Sequence, residues 1–298
     1  MSVAASSPRR ALYGAFGAAL VLIVGAACDS PKKAQARADT SAAVVAANLP
    51  VMLRVPADST IPSGPFGASI RRGRAIFNAT RDSLPTHVGS NLRCASCHLD
   101  GGARADAAPL VGVSMRYPQY RQRNASIIRI EERVNDCFQR SLNGTAIAWD
   151  SGEMRDIVSY LSFLSRGVVS PGIVPGQGLR AMPGLRGDSA HGSMVFDANC
   201  ARCHGPDGAG TVIAPALWGA RSYNIAASMA RANSAASFIK HNMPFDKPKS
   251  LSDQDAFDAA AYINSHARPD FKGKENDWPN GDAPADVPYK TKKSEKDR

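Results

Sequence analysis

Cysteine and histidine carry the recognisable chemistry of this chain. The order Cys-x-x-Cys-His occurs twice, as CASCH at 94–98 and as CARCH at 200–204. Two thiols separated by two residues can reach the two vinyl groups on one edge of a haem and form thioethers. The histidine that follows then lies under the iron as proximal ligand. The spacing therefore predicts two covalently attached haem c groups, on Cys94 and Cys97 and on Cys200 and Cys203, with His98 and His204 on the irons. A zinc ribbon fits poorly, because its CxxC pairs stand about 15–20 residues apart. Here over a hundred residues separate the pairs, and a histidine follows each.

A haem iron also has a distal side. In FIKHNMPF, residues 238–245, Met243 stands on the irregular segment before a closing helix, and a thioether there would raise the potential of the second haem. Lys240 and His241 are neighbours that could exchange with it, while Met229, in an Ala-rich stretch, reads as core. The matching place in the first half has no Met-Pro. It has Cys137, within ERVNDCFQRSLNG, residues 132–144. Of six cysteines, four hold haem and Cys28 lies near the N-terminus, so Cys137 is left over. A disulfide with Cys28 and an inert buried thiol are the bland readings. The chemical one is a thiolate on the first iron, which would lower that haem's potential. Arg121, Arg123, Arg129, Arg133 and Arg140 crowd around it. If Ile127–Gln139 is helical, Arg133 falls one turn before Cys137 and Ser141 one turn after, on the same side. A guanidinium beside a thiol favours thiolate and offers forked donors to an oxyanion. The local pattern suggests a small sulfur oxyanion as the ligand.

The elements that must position these groups form an internal repeat. SIRRGRAIFN (69–78) and SAHGSMVFDAN (189–199) each carry a small residue, Gly73 or Gly192, with an aromatic four positions on, Phe77 or Phe196. CxxCH follows, then an irregular middle, then an amphipathic helix. Ile157, Tyr160, Leu161 and Leu164 recur at the spacing of one buried helix face, and Phe257, Ala260, Ala261 and Ile263 do much the same. Asp150 and Ser252 read as the N-caps of these helices. No run of alternating β-branched residues competes. The fold class is mostly α: two cytochrome c-type helical domains in tandem, at residues 66–168 and 187–268. A Pro/Gly-rich interdomain linker spans 169–186, an arm rich in Ala, Ser, Pro and charge spans 28–65, and a polar, Pro-rich tail spans 269–298.

The 298 residues suit about two domains. Hydrophobic content of 44% and charged content of 21% exclude a wholly disordered chain. The net charge of +10 suggests an anionic substrate, an acidic partner or a membrane surface. Nucleic acid is a weak reading, since aromatics are 7% and none interleave with a basic run. Arg9 and Arg10 precede the uncharged apolar run 11–27, which reads as an export signal ending at Ala26-Ala27-Cys28. Cys28 would then be the lipidated first residue of a bacterial lipoprotein, and the mature chain would be periplasmic or otherwise exported.

Taken together, the CxxCH pair, ERVNDCFQRSLNG between the motifs, FIKHNMP after the second and DWPNGDAPADVPY at 277–289 resemble the thiosulfate dehydrogenases, tetrathionate-forming dihaem cytochromes c. The resemblance covers roughly residues 66–290. It implies that two thiosulfates are oxidised to one tetrathionate, with two electrons leaving through the haems to an acceptor such as a small cytochrome c. It implies His98 and Cys137 on haem 1 and His204 and Met243 on haem 2. It implies Arg123, Arg133 and Ser141 as the basic and hydroxyl groups that meet substrate. Some members carry a Lys just before the Met; here that residue is Asn242, with Lys240 three before Met243. The alternatives are the haem subunit of a complex that transfers thiosulfate to a carrier cysteine, and a dihaem electron-transfer cytochrome with no substrate of its own.

Overall fold

The structure, a computed structural model, describes residues 53–168, 174 and 176–292. The run 11–27, Cys28, much of the arm 28–65 and part of the linker 169–186 lie outside the described residues.

The first half is opened by α1 (Gly64–Asn78), which has a proline in its first turn, where a missing N–H costs no helical bond. CASCH follows as a tight turn over Cys94–Ser96. Strands β1 (Gln119–Arg121) and β2 (Ser126–Ile128) then pair antiparallel, Gln119 opposite Ile128. The short helix α2 (Ile130–Asp136) runs into a π-helical turn over Cys137–Ser141. The half closes on α3 (Gly152–Leu164). The second half repeats the frame with α4 (Ser189–Asn199), a CxxCH turn over Ala201–His204, α5 (Ala232–Asn242) and α6 (Asp253–Ser265).

In both halves the opening helix crosses the closing one at a glycine. A Cβ on Gly73 would lie 1.9 Å from the Asp156 carbonyl oxygen, and one on Gly192 would lie 2.0 Å from that of Asp258. Only the absence of a side chain lets the backbones approach so closely. One turn along, Phe77 packs on Tyr160 and Phe196 on Tyr262, with ring centroids 5.4 and 5.5 Å apart. The residue before each glycine pairs with a carboxylate of the closing helix. Arg72 Nε meets Asp156 at 2.7 Å, and His191 Nδ1 meets Asp258 at 2.8 Å. The apolar face of α3 is buried at Ile157, Tyr160, Leu161 and Leu164. On α6, Phe257, Ala260 and Ile263 are buried, and Ala261 is half-buried.

Two details differ from the sequence reading. The cap of α3 is Ser151, whose hydroxyl accepts from the Met154 N–H; Asp150 lies one residue too early. Ser252 does cap α6, in a reciprocal box with Asp255. The helix expected over Ile127–Gln139 starts only at Ile130, because Ala125 turns with φ 47° and Ser126–Ile128 pairs as a strand. The polar, Pro-rich tail packs as a strap over its described residues, 270–292. Asp277 and Trp278 are 5% and 4% exposed. The Trp278 N–H donates to the Arg123 carbonyl at 2.9 Å. The Asp277 carboxylate accepts both Arg140 Nη groups at 2.8 and 2.9 Å and the Tyr289 hydroxyl at 2.6 Å.

Candidate functional site: two haem cavities and a free thiol

Each CxxCH turn faces its own cavity. The first is walled by Phe77, Leu110, Val113, Phe138, Ile157 and Leu161, and holds Cys94, Cys97 and His98. It encloses about 1160 Å³, mouth included. The second encloses about 1830 Å³ and holds Cys200, Cys203 and His204. Leu92, Arg93 and Cys97 line both, so the first attachment turn is the wall between them.

The proximal histidines are set by the same device. His98 Nδ1 lies 2.6 Å from the Ala108 carbonyl and His204 Nδ1 lies 2.8 Å from the Pro215 carbonyl. A carbonyl only accepts, so Nδ1 carries the proton in both rings and Nε2 keeps its lone pair for a metal. Burial also pushes the His204 imidazole down, which keeps it neutral. The paired cysteines are unbonded thiols among the described residues. Burial pushes Cys94 and Cys200 up to about 11 and Cys97 up to about 12. Two adjacent thiols and a poised imidazole on an apolar cavity fit a covalently attached haem in each half.

Cys137 opens the π-helical turn, where the Leu142 N–H reaches back to the Cys137 carbonyl at 2.9 Å. Such bulges re-aim side chains and recur at functional sites. Cys137 lines the first cavity together with His98. Arg133 Nη1 donates to Sγ at 3.1 Å. Burial pushes the thiol up, the Arg133 guanidinium pulls it down, and the balance lies at about 7. Ser141 closes the turn and lines the same cavity.

Arg123 does not line the cavity. It falls beyond the end of β1, where Nη1 donates to the Ala226 carbonyl at 2.6 Å and the guanidinium stacks 4.5 Å over Trp278. Burial and Arg140 bring it down to about 10. Arg140 likewise serves the strap, and Arg129 pairs with Glu132. The arginines that reach the cavity with Arg133 are Arg93, Arg116 and Arg121. Arg116 lay outside the segment singled out in the sequence; the cluster RYPQYRQR, residues 116–123, was its only signal.

In the second cavity Met243 follows α5 and lines the wall, as does Met229. Lys240 and His241 turn away. Lys240 Nζ bonds the Leu251 carbonyl and pairs with Asp253 at 3.4 Å, while His241 Nδ1 meets the Ser237 carbonyl at 2.9 Å.

Both halves of the chain match known families. Residues 73–169 match the family described as SoxA/TsdA, cytochrome c domain, and residues 189–267 match the family cytochrome c. The chain is 45% identical over 233 residues to a thiosulfate dehydrogenase of Allochromatium vinosum, covering 74% of this chain and 86% of that one. It is 44% identical over 245 residues to one from Psychrobacter arcticus, covering 79% and 74%. The solved structure of thiosulfate dehydrogenase (TsdBA) from Marichromatium purpuratum, in its as-isolated form, superposes with a TM-score of 0.69 at 35% identity. That match covers 73% of this chain and 50% of the other, so this chain spans half the length of that protein.

Fold and cavities define an oxidoreductase of the dihaem cytochrome c class, with two tandem cytochrome c domains and two covalently bound haem c groups. At the identities just given, the chain belongs to the thiosulfate dehydrogenase family.

Proposed function

We propose that the protein oxidises two thiosulfates to one tetrathionate at the first cavity and passes the electrons through the second to an external acceptor, such as a small cytochrome c. In this reading the protein is exported, and Cys28 carries a lipid. His98 and Cys137 would hold the iron in the first cavity, and His204 and Met243 that in the second. When bound, the haems would supply the oxidising power for the two electrons.

The observation that carries the reading is the unbonded Cys137 thiol sharing one cavity with His98, Arg133 and Ser141. One thiosulfate is held through its sulfonate oxygens by Arg133 and Ser141. Its sulfane sulfur and the Cys137 sulfur form a bond with the loss of two electrons, leaving Cys–S–S–SO₃⁻. The sulfane sulfur of a second thiosulfate attacks the sulfur that bears the sulfonate. The bond to Cys137 breaks, the thiolate leaves with the electron pair, and tetrathionate is free. The Arg133 N–H on Sγ stabilises that departing thiolate, because a charge-assisted bond is stronger than a neutral one. Preorganised positive charge also lowers the repulsion between two dianions.

The holoprotein should form tetrathionate from thiosulfate with ferricyanide as acceptor. Cys137→Gly should abolish turnover with both haems attached, and should remove a low-spin thiolate signal from the electron paramagnetic resonance spectrum. Full activity in that variant would remove Cys137 from the mechanism.

A further inference from the structure

The first cavity is lined by four arginines, Arg93, Arg116, Arg121 and Arg133, and among its lining residues there is no aspartate or glutamate. Elsewhere the chain supplies a carboxylate to its buried guanidinium groups. Arg140 has Asp277 at 2.8 Å and Arg104 has Asp100 at 2.6 Å. Arg133 is already committed to the Cys137 sulfur. Arg116 has no such partner. Its Nε is enclosed and lacks a hydrogen-bond partner among the described residues, and burial together with the charges of Arg121 and Arg133 presses against its own. A half-buried cation facing two others is costly unless an anion joins it. Arg116 ends the turn Val113–Arg116, and Arg121 ends β1. They come from elements other than the one that carries Cys137.

We propose that Arg116 and Arg121 form a second anion subsite beside Cys137, and that it holds the sulfonate of the second thiosulfate while its sulfane sulfur attacks. The inference rests on the two-thiosulfate reading given above. It explains why one cavity needs more guanidinium groups than Arg133 alone provides. Each dianion has its own counter-charge, and the incoming one is held before the bond to Cys137 breaks. The carboxylates of the haem are the other anions that could meet these arginines, and the experiment separates the two sources.

The test uses the dihaem holoprotein with Arg116→Gln, Arg121→Gln and the Lys replacements of each. One equivalent of thiosulfate is added to oxidised protein, and the Cys137 adduct is followed by intact mass. Excess thiosulfate is then added and tetrathionate release is timed, while the potential of each haem is measured by redox titration. The Gln variants should form the adduct as the unaltered protein does. Their half-saturating thiosulfate for tetrathionate release should rise about tenfold to a hundredfold, the loss expected for one charge-assisted contact. The Lys variants should recover part of it, with both potentials unmoved. A shifted potential of the first haem with unchanged thiosulfate saturation would assign the arginines to the haem carboxylates and overturn the proposal. So would loss of adduct formation in the same proportion as turnover, which would mean a single shared site. If unaltered protein forms no adduct at all, the covalent step falls first, whatever these arginines do.

Discussion

Arg133 illustrates how much rests on single side chains. Its Nη1 binds the Cys137 sulfur while the rest of the fork borders the cavity. Arg133→Lys keeps the charge and loses the planar fork. It should lower turnover at saturating thiosulfate roughly tenfold or more, read in the ferricyanide assay, with both haems retained. The haem attachment residues were legible as sequence, because covalent chemistry ties them to a fixed spacing. Cys137 was legible by subtraction from the cysteine count. The arginines were only half legible. Gln119 and Arg121 stand two apart on β1 and both reach the cavity, as the period of a strand requires. Arg123 has the same parity but lies past the strand's end, so the turn carries it to Ala226 and the strap. Nothing in the spacing marks where a three-residue strand stops.

At the scale of elements, the two glycine crossings hold each half shut. Gly73→Ala and Gly192→Ala should each cost about 2–4 kcal/mol in denaturant unfolding of the holoprotein, because the atom they would strike is backbone and cannot rotate away. The neighbouring ion pairs differ in kind. Arg72–Asp156 keeps its cation at any ordinary pH, whereas His191–Asp258 loses it. The bond to Asp258 raises the His191 imidazole above its usual 6.5. Its contribution to stability is fully present below that value and is lost as pH rises through the folded one. Asp258 is held below the usual carboxylate value despite burial, so its share is lost only as pH falls through that depressed value. His191→Arg should therefore remove the alkaline part of the pH dependence of thermal unfolding of the second domain. An unchanged slope above neutral pH would refute this. The closing helices were readable because a long amphipathic face repeats its signal. The hairpin was not, since strands this short bury only Ile128 and leave Ile127 and Tyr120 exposed.

Across the two haem domains, contacts from the second half reach the segment that carries the thiol. Asn224 N–H donates to the Arg140 carbonyl at 3.1 Å and its side chain to that of Gln139 at 2.7 Å. Asp277 then clamps Arg140 from the tail. Asp277→Asn removes the carboxylate from a bidentate pair and leaves buried Arg140 with only the more distant Asp136, at 3.7 Å. It should lower activity and, with Cys137 on the first iron as proposed, change the electron paramagnetic resonance signal of haem 1 while leaving that of haem 2 as it was. A change in neither would mean that the strap is only a cover. The strap also bears on the order in which the protein becomes competent. The turn that carries the thiol precedes Asp277 by about 140 residues, so it is translated before the clamp on Arg140 exists. A chain cut between Gly178 and Asp277 would keep every residue that lines the first cavity, yet it would lose the clamp on Arg140.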